Sequence, residues 1–243
     1  MQTMLLHHYN FIQTPIESVL EEAASACKCL GKGMETFPLC DYMFQSVFLQ
    51  MTGFQEQKMK CICWDISTID YDFRRDWLRD LGKNGEFSSI DAKGWVYKSI
   101  LSRIENSNEI KIDNEKLFEK SSIKQSIFSN INKILNKTFF SECAQRNFMT
   151  FNKSKDIFNT THFANDCLLE KCLSDIHKML YNHRNRCAHN TISFQDNIPT
   201  LKILSSESNK YNNYFIWFAL LMLIDMISIK LYNLYSNSIQ NNI

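Results

Sequence analysis

Apolar residues recur at spacings of three and four along most of this chain, the pattern of helices that bury one face. The clearest stripe is Leu168, Leu169, Cys172, Leu173, Ile176, Met179 and Leu180, with Asn165-Asp166 placed to cap its start. A second stripe, Ile62, Ile66, Ile69, Phe73, Trp77 and Leu81, falls in a helical region expected over about 39–81, with Thr52-Gly53 the candidate break within it. Thr14-Pro15-Ile16-Glu17 predicts a helix start: Thr14 caps, Pro15 suits the first helical position and Glu17 completes a capping box. That helix is expected to stop near Gly31-Lys32-Gly33. Helical patterning resumes over about 88–104 and 113–140, and a last helix runs to about Tyr235. Asn197-Ile198-Pro199 predicts a turn, and Leu201-Lys202-Ile203-Leu204 is the single strand signal. The fold class expected is therefore all-α, a helical bundle. The polar segment 105–114 divides residues 1–104 from 105–243, as two regions or as parts of one continuous domain.

Composition narrows the functions open to such a bundle. The chain has 243 residues with only six Gly and three Pro, and its formal net charge is +1. A nearly neutral protein has no general nucleic-acid coat, so contact with a polyanion must come from a local patch. Nine cysteines invite a search for zinc. The two C-x-C pairs, Cys27/Cys29 and Cys61/Cys63, lie in stretches that read as helical, where residues two apart point roughly 200° away from each other. Buried, reduced thiols are the expectation, with no metal and no cofactor. The start, Met1-Gln2-Thr3-Met4-Leu5-Leu6, lacks the basic region and long apolar core of a signal peptide. The apolar run 214–224 falls short of the about 20 residues a bilayer requires and is followed by Asp225 and Lys230. A buried helix and a cytoplasmic location are expected.

Two groups of residues could carry chemistry and read better as structure. Glu56, Lys58, Lys60, Asp65, Asp70, Asp72, Arg74, Arg75, Asp76, Arg79 and Asp80 include opposite charges four apart at Asp70/Arg74 and three apart at Asp72/Arg75 and Asp76/Arg79, as on a solvated helix face, with the lining of an RNA groove as the other reading. Phe139, Phe140, Phe148, Phe151 and Phe158 could stack on bases, but phenylalanine at helical spacing points to a core.

The chemically informative stretch is Tyr181-Asn182-His183-Arg184-Asn185-Arg186-Cys187-Ala188-His189-Asn190. Arginine offers a fixed fork of donors that fits a phosphate and stays charged at working pH. Histidine, with an ordinary pKa of about 6.5, gives and takes protons near neutrality. A phosphate clamp beside a proton shuttle suits phosphodiester cleavage without a metal. Lys178, Arg184 and Arg186, with His177, His183 and His189, form a local positive spot, so Lys178, His183 and Arg186 are candidate RNA contacts. Arginine followed by histidine at such a distance is weak evidence alone, because a basic turn or a structural histidine gives the same letters.

The combination of Arg184, Asn185 directly after it and His189, between an amphipathic helix and a long apolar one, resembles the HEPN superfamily over about residues 166–235. Its ribonucleases carry R-x4-6-H with a polar residue after the arginine. The resemblance implies a carboxy-terminal HEPN-like domain and a metal-independent endoribonuclease with Arg184, Asn185 and His189 as catalytic residues. It also implies a homodimer, since one motif per chain supplies one histidine, and a role as toxin or antiviral defence nuclease with an antitoxin or sensor as partner. The alternatives are a non-catalytic HEPN module that binds RNA, a nucleotide or a protein, and a helical interaction protein in which the motif is accidental.

Overall fold

Gly53 lies inside a helix that does not break. The computed structural model describes residues 2–31, 33–84, 86–108, 120–158, 167–188 and 211–240. In it α3 runs Phe37–Ile69 through Gly53. Before it come α1 (Gln2–Gln13) and α2 (Glu17–Ala26), and after it α4 (Tyr71–Asn84) and α5 (Ile90–Asn108). The second half holds α6 (Lys120–Leu135), the short α7 (Phe139–Cys143), α8 (Gln145–Lys153) and α9 (Lys155–Phe158), then α10 (Lys171–Ala188) and α11 (Tyr214–Gln240). The described residues contain no strand, and the fold is all-α. The strand signal at Leu201–Leu204, the turn at Asn197-Ile198-Pro199 and the caps Asn165-Asp166 lie outside the described residues.

Helix α11 is apolar around its whole circumference from Phe215 to Ile224, and every residue of that run is buried. It packs on α3, α5, α6 and α10, so helices from both sides of residues 105–114 share one core. By length and composition alone α11 could cross a membrane, yet 78% of an 18-residue apolar window within it is buried inside the protein. Within it, Asp225 faces Lys58 of α3 at 2.6 Å, each side chain 1% exposed. The five phenylalanines Phe139, Phe140, Phe148, Phe151 and Phe158 are all buried, as their spacing indicated.

Several local expectations change. Residues 2–13 form an additional helix ahead of the expected first one. The Thr14 hydroxyl does not cap α2; it donates back to the Asn10 carbonyl at 2.8 Å and closes α1. The cap of α2 comes from far away, with Ile16 N–H donating to Asp225 Oδ2 at 3.0 Å. Helix α2 ends at Ala26, before the glycines, in a 3-10 turn over Cys27–Cys29. Among the cysteines, Cys27, Cys40, Cys61 and Cys63 are buried, whereas Cys29 and Cys172 are exposed.

The real break in the 39–81 region is Asp70, whose backbone is extended and whose Oδ1 accepts from Phe73 N–H at 2.8 Å. A short acceptor side chain there caps α4 and lets it turn away from α3. The charged run also divides. Asp72/Arg75 forms an exposed pair three apart, as expected of a solvated face, whereas Asp76, 29% exposed, meets Arg103 as well as Arg79. Asp70 instead pairs with Arg103 of α5 at 2.9 Å, and Arg74 lies over the Tyr71 ring. Lys58 and Asp65 are buried, and Asp65 receives the Tyr232 hydroxyl at 2.9 Å and contacts His8 Nδ1 at 2.6 Å.

Candidate functional site

The stripe Leu173, Ile176, Leu180 seats α10 on the core, and Arg184 falls one turn after Leu180 on the same face. Its guanidinium is therefore directed at α3. Nη2 donates to Glu56 Oε2 at 3.0 Å, and Nη1 donates to Asn185 Oδ1 at 3.3 Å. The pair is largely enclosed, with side chains 22% and 13% exposed. Burial raises the Glu56 carboxyl pKa against the opposing pull of Arg184, Lys93 and Lys60. The arginine predicted to clamp a phosphate is thus held from two sides, by a carboxylate and by the amide that follows it in sequence.

Behind this pair lies a second, deeper group. Lys93 of α5, 2% exposed, places Nζ 3.1 Å from His177 Nε2 and donates to the Ser88 carbonyl at 3.4 Å. Burial pulls the Lys93 pKa down to about 7, and the Glu56 carboxylate partly offsets that pull. Burial also holds His177 neutral, with its pKa well below the ordinary value and Lys93 adding to the effect. With Lys93 charged, a neutral His177 accepts at Nε2 and carries its proton on Nδ1, a buried nitrogen with no partner among the described residues.

The other residues of the motif divide between core and surface. His183 turns inward, packing on Phe48 and Trp217 at centroid distances of 5.5 and 4.7 Å. Its Nε2 lies 2.7 Å from the Tyr214 hydroxyl and 3.3 Å from Cys187 Sγ. Burial, with the Arg186 charge nearby, pulls its pKa down to about 4. Lys178 is exposed and paired with Asp175 at 3.1 Å. Arg186 sits in the last turn of α10. His189 lies outside the described residues. The structure therefore brings Arg184 and Asn185 together, sets Lys178 apart on the surface and places His183 against the aromatic core.

The inward histidine makes a pH prediction. Below about pH 6.5 the unfolded chain takes a proton at His183 that the folded chain refuses until about pH 4. Stability should fall as pH drops through that window, by at most about 3 kcal/mol from this residue and by less once water screens the partly exposed ring. His183→Gln should flatten that part of the profile in urea unfolding at pH 7 and pH 4.5. An unchanged profile would mean the imidazole is hydrated in the folded protein.

Glu56, Lys93 and Tyr214 were not singled out from the sequence as parts of the site. Glu56 stood in a run of alternating charges, and its partner is 128 residues away. His177 had a readable signal, since it follows Leu173 by one turn on the buried stripe. Comparisons with family models, with curated proteins and with solved structures gave no significant match.

Proposed function

We propose that the chain is an endoribonuclease of the HEPN type that needs no metal and acts as a homodimer. The observation that carries this reading is the seating of Arg184, fixed by Glu56 and Asn185 near the end of α10, five residues before His189 in the sequence. A pre-positioned guanidinium loses little entropy on meeting a phosphate, and it stabilises charge that builds on the non-bridging oxygens in the transition state.

RNA brings its own nucleophile. Its 2′-hydroxyl attacks the adjacent phosphorus in line, the bond to the 5′-oxygen breaks, and a 2′,3′-cyclic phosphate and a 5′-hydroxyl result. His189 takes the 2′-hydroxyl proton or protonates the leaving oxygen, and a second copy supplies the other proton group. Asn185 orients Arg184. Lys178 and Arg186 contact the RNA backbone, and His183, packed inward, fixes the turn of α10 that carries them. A phosphate reaching Arg184 competes with Glu56 for the guanidinium. The burial that disfavours the charged Glu56 carboxylate makes that exchange easier. As a toxin or defence nuclease such an enzyme is restrained by an antitoxin or sensor protein.

One observation favours a second reading, a non-catalytic HEPN module. Glu56 already satisfies Arg184 within its own chain, as a structural ion pair does. The test is incubation of purified protein with single-stranded RNA in EDTA. Cleavage with cyclic-phosphate ends and intact DNA is expected. Activity lost on chelation and restored by magnesium overturns the mechanism.

A further inference from the structure

Gly53 is exposed, has no positive φ, and a Cβ built on it meets nothing within 4 Å. Neither the backbone nor the packing of the monomer requires glycine there, yet mid-helix glycine costs roughly 0.5–1 kcal/mol relative to alanine. Around it, the outer face of α3 carries Tyr42, Ser46, Gln50, Gln57, Lys60 and Trp64, each exposed. Tyr42 and Trp64 are 67% and 60% exposed, among the largest exposed apolar side chains described. They lie equally far from Gly53, eleven residues on either side, which is close to three helical turns.

We propose that a second copy of this chain docks here, α3 against α3, antiparallel about a two-fold axis at Gly53. The spacing makes the face self-complementary. Two-fold rotation sets Tyr42 of each copy beside Trp64 of the other, Gln50 near Glu56 and Gln57, and Lys60 opposite Ser46. No like charges meet, because Lys60 is the one exposed charged side chain of α3 between Tyr42 and Trp64. Glycine at the axis lets the two backbones approach, and a shallow crossing of about 20° keeps the aromatic ends in contact. The strip from Leu39 to Thr68, both exposed, is about 45 Å long and 10 Å wide. That supplies about half of the roughly 800 Å² each partner of a stable dimer buries. The flanks supply the remainder, α10 along the Glu56 side and α1 along the Phe54 side, where Phe11 packs on Phe54 at 4.8 Å.

The arrangement bears on the site, and in this part it rests on the nuclease reading above. Glu56 is three residues from Gly53, about 4.5 Å along the helix axis. The two Arg184–Glu56 pairs would therefore flank the two-fold axis, as a site built from both copies requires.

Sedimentation of the full chain at tens of micromolar, without RNA, tests the interface. Wild type should run as a dimer. Gly53→Glu sets two carboxylates on the axis, meets open space in the monomer, and should weaken the dimer at least about tenfold with unchanged helical circular dichroism. Trp64→Ala should weaken it too. In Gly53→Cys, mild oxidation with diamide should join the two introduced thiols, a link absent from wild type treated alike. A monomeric wild type, or a dimer that Gly53→Glu leaves intact, overturns the proposal. Because RNA is absent, a dimer that cuts no RNA removes the nuclease reading and keeps the interface, and an RNA-cutting dimer that survives Gly53→Glu removes the interface and keeps the nuclease reading.

Discussion

Arg184→Lys should leave RNA cleavage impaired by about 10²-fold or more, although the charge is retained. Lysine is a point charge on a flexible stem. It cannot hold the Glu56 carboxylate and the Asn185 carbonyl with one planar group, as the guanidinium does at 3.0 and 3.3 Å. The loss should appear mainly in kcat. Arg186→Ala should act more mildly, through RNA affinity and its salt dependence. Single-turnover cleavage at two salt concentrations separates the two effects. Equal and severe losses at both arginines would reassign the phosphate clamp. Unfolding curves measured alongside keep the comparison clean, since the partly buried Glu56 needs a cation beside it.

Asp225→Ala should destabilise the fold by about 3–5 kcal/mol. That is a large share of a typical total of about 5–15 kcal/mol. The reason is what it leaves behind. Lys58 donates to the Thr14 carbonyl at 2.6 Å and has its Nζ 5.2 Å from the Phe54 ring centroid, but Asp225 is its counter-charge in a site 1% exposed. Burial lowers the Lys58 pKa and raises that of Asp225, so each ion depends on the other. The variant also strips the Ile16 amide of its acceptor and so loosens the start of α2. Pairing Lys58→Met with Asp225→Leu removes both charges and should recover the part of the loss due to the stranded lysine, leaving the cost of the Ile16 amide and the Thr14 carbonyl. Urea unfolding measures all of these. A loss below about 1 kcal/mol in Asp225→Ala would show that water reaches the pair.

Much of this architecture is legible in the sequence because periodicity reports burial. Leu173, Ile176 and Leu180 of α10, the apolar run of α11 and the phenylalanine cluster over residues 139–158 are core for the reason their spacing suggests, whereas Cys172 of the same stripe is exposed. Charges mislead where they share a face with that stripe. Lys58 and Asp65 stand one turn from Ile62 on either side, so they enter the core with it, and each finds its partner in α11. Position on the helical wheel could have separated them from the exposed Arg75 and Asp72. The partner itself could not be read, because pairing across 167 residues depends on how α3 meets α11. Asp70 was legible in principle as a short acceptor before an aromatic helix start, but unbroken apolar spacing hid it. At the site, Arg184 and Asn185 were visible as a motif. Glu56 was not, since the ion pair exists only once α10 lies on α3.

We propose that His189 moves protons during cleavage of RNA at Arg184. The direct measurement compares wild type with His189→Ala on single-stranded RNA in EDTA, following single-turnover rates and the chemistry of the product ends. Wild type should yield 2′,3′-cyclic phosphates, and the variant should be slower by about 10²-fold or more at equal RNA affinity. A variant that cuts as fast as wild type, with the same ends, would contradict the account.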